Sequence, residues 1–176
     1  MSDYEWPAGT VVTASVRGVK PVPKGSMRAF VLPGVDGAKP RAIITDSQKT
    51  LRPWAALVRD AVTEAMRRRG LQVRRIGGCT VRIMFLLPRP KGHLRSNGQV
   101  KPTAPAEPTT KPDVDKLTRG VLDALKGRVW QDDSQCVRIV VEKQYARHDD
   151  DVGATIEITP RPRTVEDATS PQLPEV

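Results

Sequence analysis

Hydrophobic and polar positions along this chain change period several times, and each change marks an element. From Val11 to Val19 apolar residues alternate loosely, with Val12, Ala14 and Val16 on one side. That pattern predicts a first strand, ended by Pro21-Val-Pro-Lys-Gly-Ser26. Arg28–Leu32 and Arg41–Thr45 fit a hairpin across the turn-rich stretch Pro33–Pro40. Trp54, Leu57, Val58, Ala61, Val62 and Ala65 then recur at helical spacing. Thr50 is placed to cap that helix, Pro53 falls near its first turn, and Arg67-Arg-Arg-Gly70 ends it with cations that suit the helix dipole. Thr80–Leu87 reads as a strand stopped by Pro88, and a second helix runs from Asp113 or Val114 to Lys126, closed by Gly127. Its apolar face carries Val114, Leu117, Val121, Ala124 and Leu125. Val137–Tyr145 alternates Val137, Ile139 and Val141 against Arg138, Val140 and Glu142, and Thr155–Thr159 gives a last strand.

This order predicts an α+β fold: a mixed β-sheet with two main helices packed on one face, in a single domain over residues 1–160. Between the fourth strand and the second helix, residues 89–110 hold Pro90, Pro102, Pro105 and Pro108 and little to bury. A long, basic, mobile loop is expected there, and a disordered polar tail over 161–176.

Charge narrows the partners. The 176 residues carry 29 Lys+Arg against 20 Asp+Glu, a formal net charge of +9, which draws an acidic polymer such as DNA or RNA. Aromatic residues make up only 4%, so Trp6, Trp54 and Trp130 are better explained by packing than by a base-stacking platform, which disfavours an RNA-binding module. Cys79 and Cys136 lie in apolar runs rather than CxxC spacing and read as reduced, buried thiols. With only His93 and His148 beside them, a Cys/His zinc site has little support. No apolar run approaches a membrane span, and Met1–Trp6 lacks signal-peptide character, so a cytoplasmic protein with no membrane partner is expected.

Against this basic background four carboxylates stand at the two ends of one helical segment: Asp113 and Asp115, then Asp132 and Asp133. Two carboxylates about 4 Å apart repel by roughly 1 kcal/mol in water and by more where water is excluded. A fold that gathers them usually holds a hard divalent cation with oxygen ligands. On a regular helix Asp113 and Asp115 would diverge by about 200°. Pro112 favours a helix start here, so Asp113 can stay extended while Asp115 enters the first turn, and both can then face one cation. A structural alternative stands beside this: Asp113 as a cap, Asp115 at the positive helix end, and Asp132-Asp133 as a turn.

Asp113-Val-Asp115-Lys-Leu, Val121-Leu-Asp-Ala-Leu125 and Val129-Trp-Gln-Asp-Asp-Ser-Gln-Cys-Val137 resemble the motifs of the RusA family of Holliday junction resolvases, over about residues 111–143. The resemblance implies a crossover junction endodeoxyribonuclease that acts as a homodimer on branched DNA. It implies Mg2+ (with Mn2+ as a substitute) bound by Asp113, Asp115 and Asp133, with Asp132 beside them. It also implies a basic catalytic residue four positions after the second aspartate; where the family usually has lysine, this chain has Arg119. Arginine keeps the charge but cannot readily exchange a proton. Lys116 stands where the family motif has asparagine, a second departure.

The function expected on this basis is paired, symmetric nicking of four-way junctions in DNA recombination and repair, in a bacterial or phage-infected cell. Lys24, Arg28, Arg89, Lys91, Lys111 and Lys116 are the candidate phosphate contacts. The rivals are a nuclease of broader branched-DNA preference and a junction-binding protein that does not cut.

Overall fold

The computed structural model describes residues 6–7, 9–25, 27–32, 39, 41–46, 50–71 and 77–161, with the backbone alone for 27–32 and 41–46. Most of the predicted turn at 33–40 and the tail beyond Arg161 lie outside the described residues. The elements follow the predicted order: β1 (Val12–Arg17), β2 (Met27–Leu32), β3 (Arg41–Asp46), α1 (Leu51–Arg68), β4 (Cys79–Leu87), α2 (Val114–Leu125), β5 (Cys136–Tyr145) and β6 (Gly153–Pro160). Four strands form one sheet in the order β1-β6-β4-β5, and β2 and β3 pair separately as an antiparallel hairpin. Only β4 and β5 run parallel, joined through α2, so the sheet is mixed and the domain is α+β.

Register explains where the core sits. Val12, Ile158, Val81 and Ile139 lie in one cross-strand row, and Ala14, Ile156, Ile83 and Val141 in the next. Period-2 alternation sends these rows to one face. That face meets Trp54, Val58, Val62 and Met66 of α1 and Leu117, Val121, Ala124 and Leu125 of α2, all buried. The other face carries Arg82, Met84, Glu142, Thr155 and Glu157, with Arg82 paired to Glu157.

Three details go beyond the sequence pattern. Thr50 precedes α1 in a helical backbone conformation and its side chain makes no capping bond, so it is not the predicted cap. Residues 89–110 carry internal order: a single 3-10 turn over Lys91–His93, a bridge between Leu94 and Val100, and a buried Pro108. On β5, Val137 and Ile139 are 60% and 42% exposed. They sit at the start of an edge strand, where the register against β4 shifts between Cys79 and Thr80 and leaves Val137 without a β4 partner, and nothing described covers them. Cys79 and Cys136 are register partners across β4 and β5, both free, with their sulfurs 3.8 Å apart.

One backbone position is tightly constrained. Gly153 opens β6 at φ 154°, and a Cβ there would lie 1.9 Å from the Val16 carbonyl oxygen on the neighbouring strand. Gly153→Ala must therefore push β1 away from β6. Its expected cost is about 3 kcal/mol, seen as a lower urea midpoint at unchanged slope; a midpoint equal to the parent's would contradict this packing.

Candidate active site

The N-terminal end of α2 is built from Lys111, a cis-linked Pro112, and Asp113. Asp113 occupies the N-cap position with extended backbone, and its carbonyl accepts the first helical bond from Leu117 N–H at 3.1 Å. Its carboxylate does not cap the helix. It pairs instead with Lys116 Nζ at 3.0 Å, one turn on. That bond, then the charges of Lys111 and Lys143, hold the Asp113 carboxyl below its ordinary pKa. Asp115 is exposed in the first turn and Arg119 is exposed one turn later, on the same side of the helix. Neither side chain makes an ion pair or a hydrogen bond among the described residues. Arg119 is therefore not tied to Asp115, and Asp123 is already paired to Lys24 at 2.5 Å.

Lys143 is a site residue the sequence pattern did not reveal. It lies on the helix-facing side of β5, level with Phe85, and its ammonium donates to the Thr110 and Pro112 carbonyls at 2.9 and 3.0 Å. The turn that presents Asp113 is thus fastened to the last third of β5. A lysine at an inward position of an otherwise apolar alternation was the available signal.

Asp132 and Asp133 are placed differently. The chain leaves α2 through Gly127, at φ 75°, and folds back so that Trp130 is buried. Asp132 caps a 3-10 turn over Asp133–Gln135, accepting from Ser134 N–H at 3.1 Å, and its other oxygen takes Lys126 Nζ at 2.6 Å. These bonds, Lys126 first, lower its carboxyl pKa to about 2. Both Asp132 oxygens are thus engaged. Asp133 accepts from the buried Trp130 Nε1 at 3.1 Å through one oxygen only.

One chain does not bring all four carboxylates together. Asp115 is the second residue of α2, so ten residues of the helix lie between the two pairs, about 15 Å at 1.5 Å per residue. β5 gives the same result independently. Asp133 precedes its first residue, Cys136, whereas Asp113 lies near Lys143, seven residues further and about 23 Å along the strand. Among the described residues no three His, Cys, Asp or Glu side chains are grouped to hold a metal ion. Asp113 and Asp115 have the hard oxygen chemistry that Mg2+ takes, but within one chain they are an incomplete set.

Comparison with known proteins adds to this geometry. The family model described as "Endodeoxyribonuclease RusA" matches residues 21–159, most of the chain. The chain belongs to the RusA family. A shorter likeness is to the "Uncharacterized protein YqaN" of Bacillus subtilis (strain 168), 54% identical over 39 residues. That match covers 22% of this chain and 28% of the relative. The family is one of endodeoxyribonucleases, and its match takes in β2 to β6 with both helices and both carboxylate pairs.

Within this RusA-family chain the basic candidates divide by what they already hold. Lys116 and Lys24 are engaged with Asp113 and Asp123. Arg89 lies 4.1 Å from the centre of the Tyr145 ring and donates to the Pro105 carbonyl at 2.9 Å, so it fastens the 89–110 segment. Lys91 is exposed at the start of the 3-10 turn, and Lys111 is exposed beside Asp113. Arg28 falls on β2, where its side chain lies outside the described residues. No helix among the described residues is long and apolar enough to cross a membrane.

Proposed function

We propose that this chain is a Mg2+-dependent endodeoxyribonuclease that resolves four-way DNA junctions by paired nicks, as a homodimer in the cytoplasm of a bacterial or phage-infected cell. The observation that carries this reading is the Asp113–Asp115 pair at the α2 N-terminus, with Arg119 one turn away and uncommitted, in a RusA-family chain. A divalent cation bound there would polarise the phosphodiester and lower the pKa of an attacking water. The chain's own residues supply the rest. Lys116 balances Asp113 in the free protein and is placed to turn to DNA phosphate, while Arg119 offers a fixed positive charge to the phosphate being cut.

The third carboxylate is assigned to the partner protomer. β5 is an edge strand, and edges left open invite pairing. If two copies of β5 pair antiparallel about a two-fold axis near Arg138, Val137 of each copy faces Ile139 of the other. These are the two exposed apolar residues of the strand. The same alignment carries the Asp133–Gln135 turn, which precedes β5, toward the far end of the other copy's β5, where Lys143 holds the turn bearing Asp113. One alignment thus covers the apolar edge and adds Asp133 to Asp113 and Asp115 across the interface. A two-fold dimer then carries two such sites, as paired nicking requires.

The assay is incubation with a mobile four-way junction, a fork and linear duplex, each with Mg2+, Mn2+ or EDTA. Metal-dependent, symmetric nicks on the junction are expected. Equal cutting of the fork would move the assignment to a broader branched-DNA nuclease, and tight binding without cutting to an architectural protein.

A further inference from the structure

The RusA-family motifs account for the carboxylates and Arg119 but not for the cleft beside them. A cavity of about 440 Å³ lies between the segment Lys20–Gly25 and the turn Lys111–Asp113, with Thr50 and Lys116 also on its wall. Among the described residues four lysines line it, Lys20, Lys24, Lys111 and Lys116, against one aspartate, Asp113. Two of the four are engaged by carboxylates. Lys20 and Lys111 make no ion pair or hydrogen bond among the described residues. The remaining wall is apolar: Pro21, Val22, Pro23 and Pro112.

We propose that this cleft is a subsite for one nucleotide of the DNA strand, the one adjoining the phosphodiester that is cut. Its phosphate sits on Lys20 and Lys111, and its sugar and base lie against the prolines. The position relative to the cut rests on the functional reading above; the nucleotide site itself does not. Size argues for a nucleotide over a bare phosphate. At roughly 30 Å³ per water the cavity holds about fifteen waters, of which a phosphate would displace only a few. The volume also falls in the range of small-ligand pockets, apolar with a few placed polar groups.

The wall is built into the fold. Lys24 N–H donates to the Lys116 carbonyl at 2.9 Å, and Gly120 lets the Val22 carbonyl approach to 3.1 Å from where a Cβ would stand. The segment is therefore docked on α2 before any ligand arrives. A base stacked within a duplex cannot enter such a cleft, whereas a nucleotide at a branch point unstacks at lower cost. The cleft thereby favours branched over linear DNA at the point of cutting.

Two measurements test this. In EDTA, titration of the isotope-labelled protein with 5′-dAMP should shift the amides of Lys20, Val22, Lys24 and Thr50. Inorganic phosphate should shift them less, and deoxyadenosine alone hardly at all. On junctions carrying 2-aminopurine at the branch point, binding without metal should raise its emission. The double variant Lys20→Ala/Lys111→Ala should lose that rise and weaken junction binding about tenfold. Because both lysines serve one phosphate, its salt slope should fall by about one rather than two. Unmoved cleft amides under 5′-dAMP, or a double variant that binds the junction like the parent, would overturn the proposal. Nucleotide binding in the cleft with no cutting of any DNA would leave it standing and sink the nuclease reading instead.

Discussion

Asp115→Asn is expected to reduce junction cleavage by on the order of 10³-fold or more while leaving the fold intact. The side chain is exposed and makes no ion pair or hydrogen bond among the described residues, so the near-isosteric amide costs the folded state little. What is lost is a negative oxygen that a hard cation requires. Binding to the junction in EDTA should be retained or slightly tighter, since a negative charge leaves a surface that meets phosphate. Single-turnover cleavage, thermal melting and an EDTA binding titration would be run on the same preparation. Cleavage within tenfold of the parent would remove Asp115 from the site. Loss of binding or melting stability together with cleavage would give it a structural role instead.

The second large effect is expected from β5. Val137→Glu/Ile139→Glu should turn a dimer into a monomer and abolish cleavage, although neither residue touches DNA or metal in the proposed arrangement. Both side chains are exposed in the single chain, so its stability should be nearly unchanged. In the antiparallel pairing each would face the other across the axis, replacing two apolar contacts by two like-charge pairs. Burying each apolar side chain is worth about 1.5–3 kcal/mol, and opposed like charges add repulsion. Sedimentation should show half the parent mass. A variant that remains dimeric and active would place the interface elsewhere.

Much of this was legible in the chain. The helical spacing of Trp54, Val58 and Val62 and the alternation of Val12, Ala14 and Val16 gave elements whose buried positions are the expected ones, because a covered face writes its period into the sequence. The Asp113–Asp115 pair at a helix start was legible for the same local reason: Pro112 precludes the helix before it. Other features depend on distance between elements, which periodicity does not encode. Val137 and Ile139 alternate like core residues, yet whether anything covers them depends on sheet order. Asp113 suits a cap by residue type, but Lys116 competes for its carboxylate. The chain direction after Gly127 decides that Asp133 stays far from Asp113, and no local motif reports it.

The most direct test of the composite site is to mix two inactive variants, Asp115→Asn and Asp133→Asn, under conditions that exchange subunits. If Asp133 completes the site of the other protomer, each mixed dimer holds one site with both aspartates intact and one lacking both. Random exchange makes about half of the dimers mixed, so nicking should return to about a quarter of the parent's site activity. If each chain instead completed its own site, every site in the mixture would lack one carboxylate. Mixed variants as silent as either alone, with exchange confirmed by mass, would contradict the account.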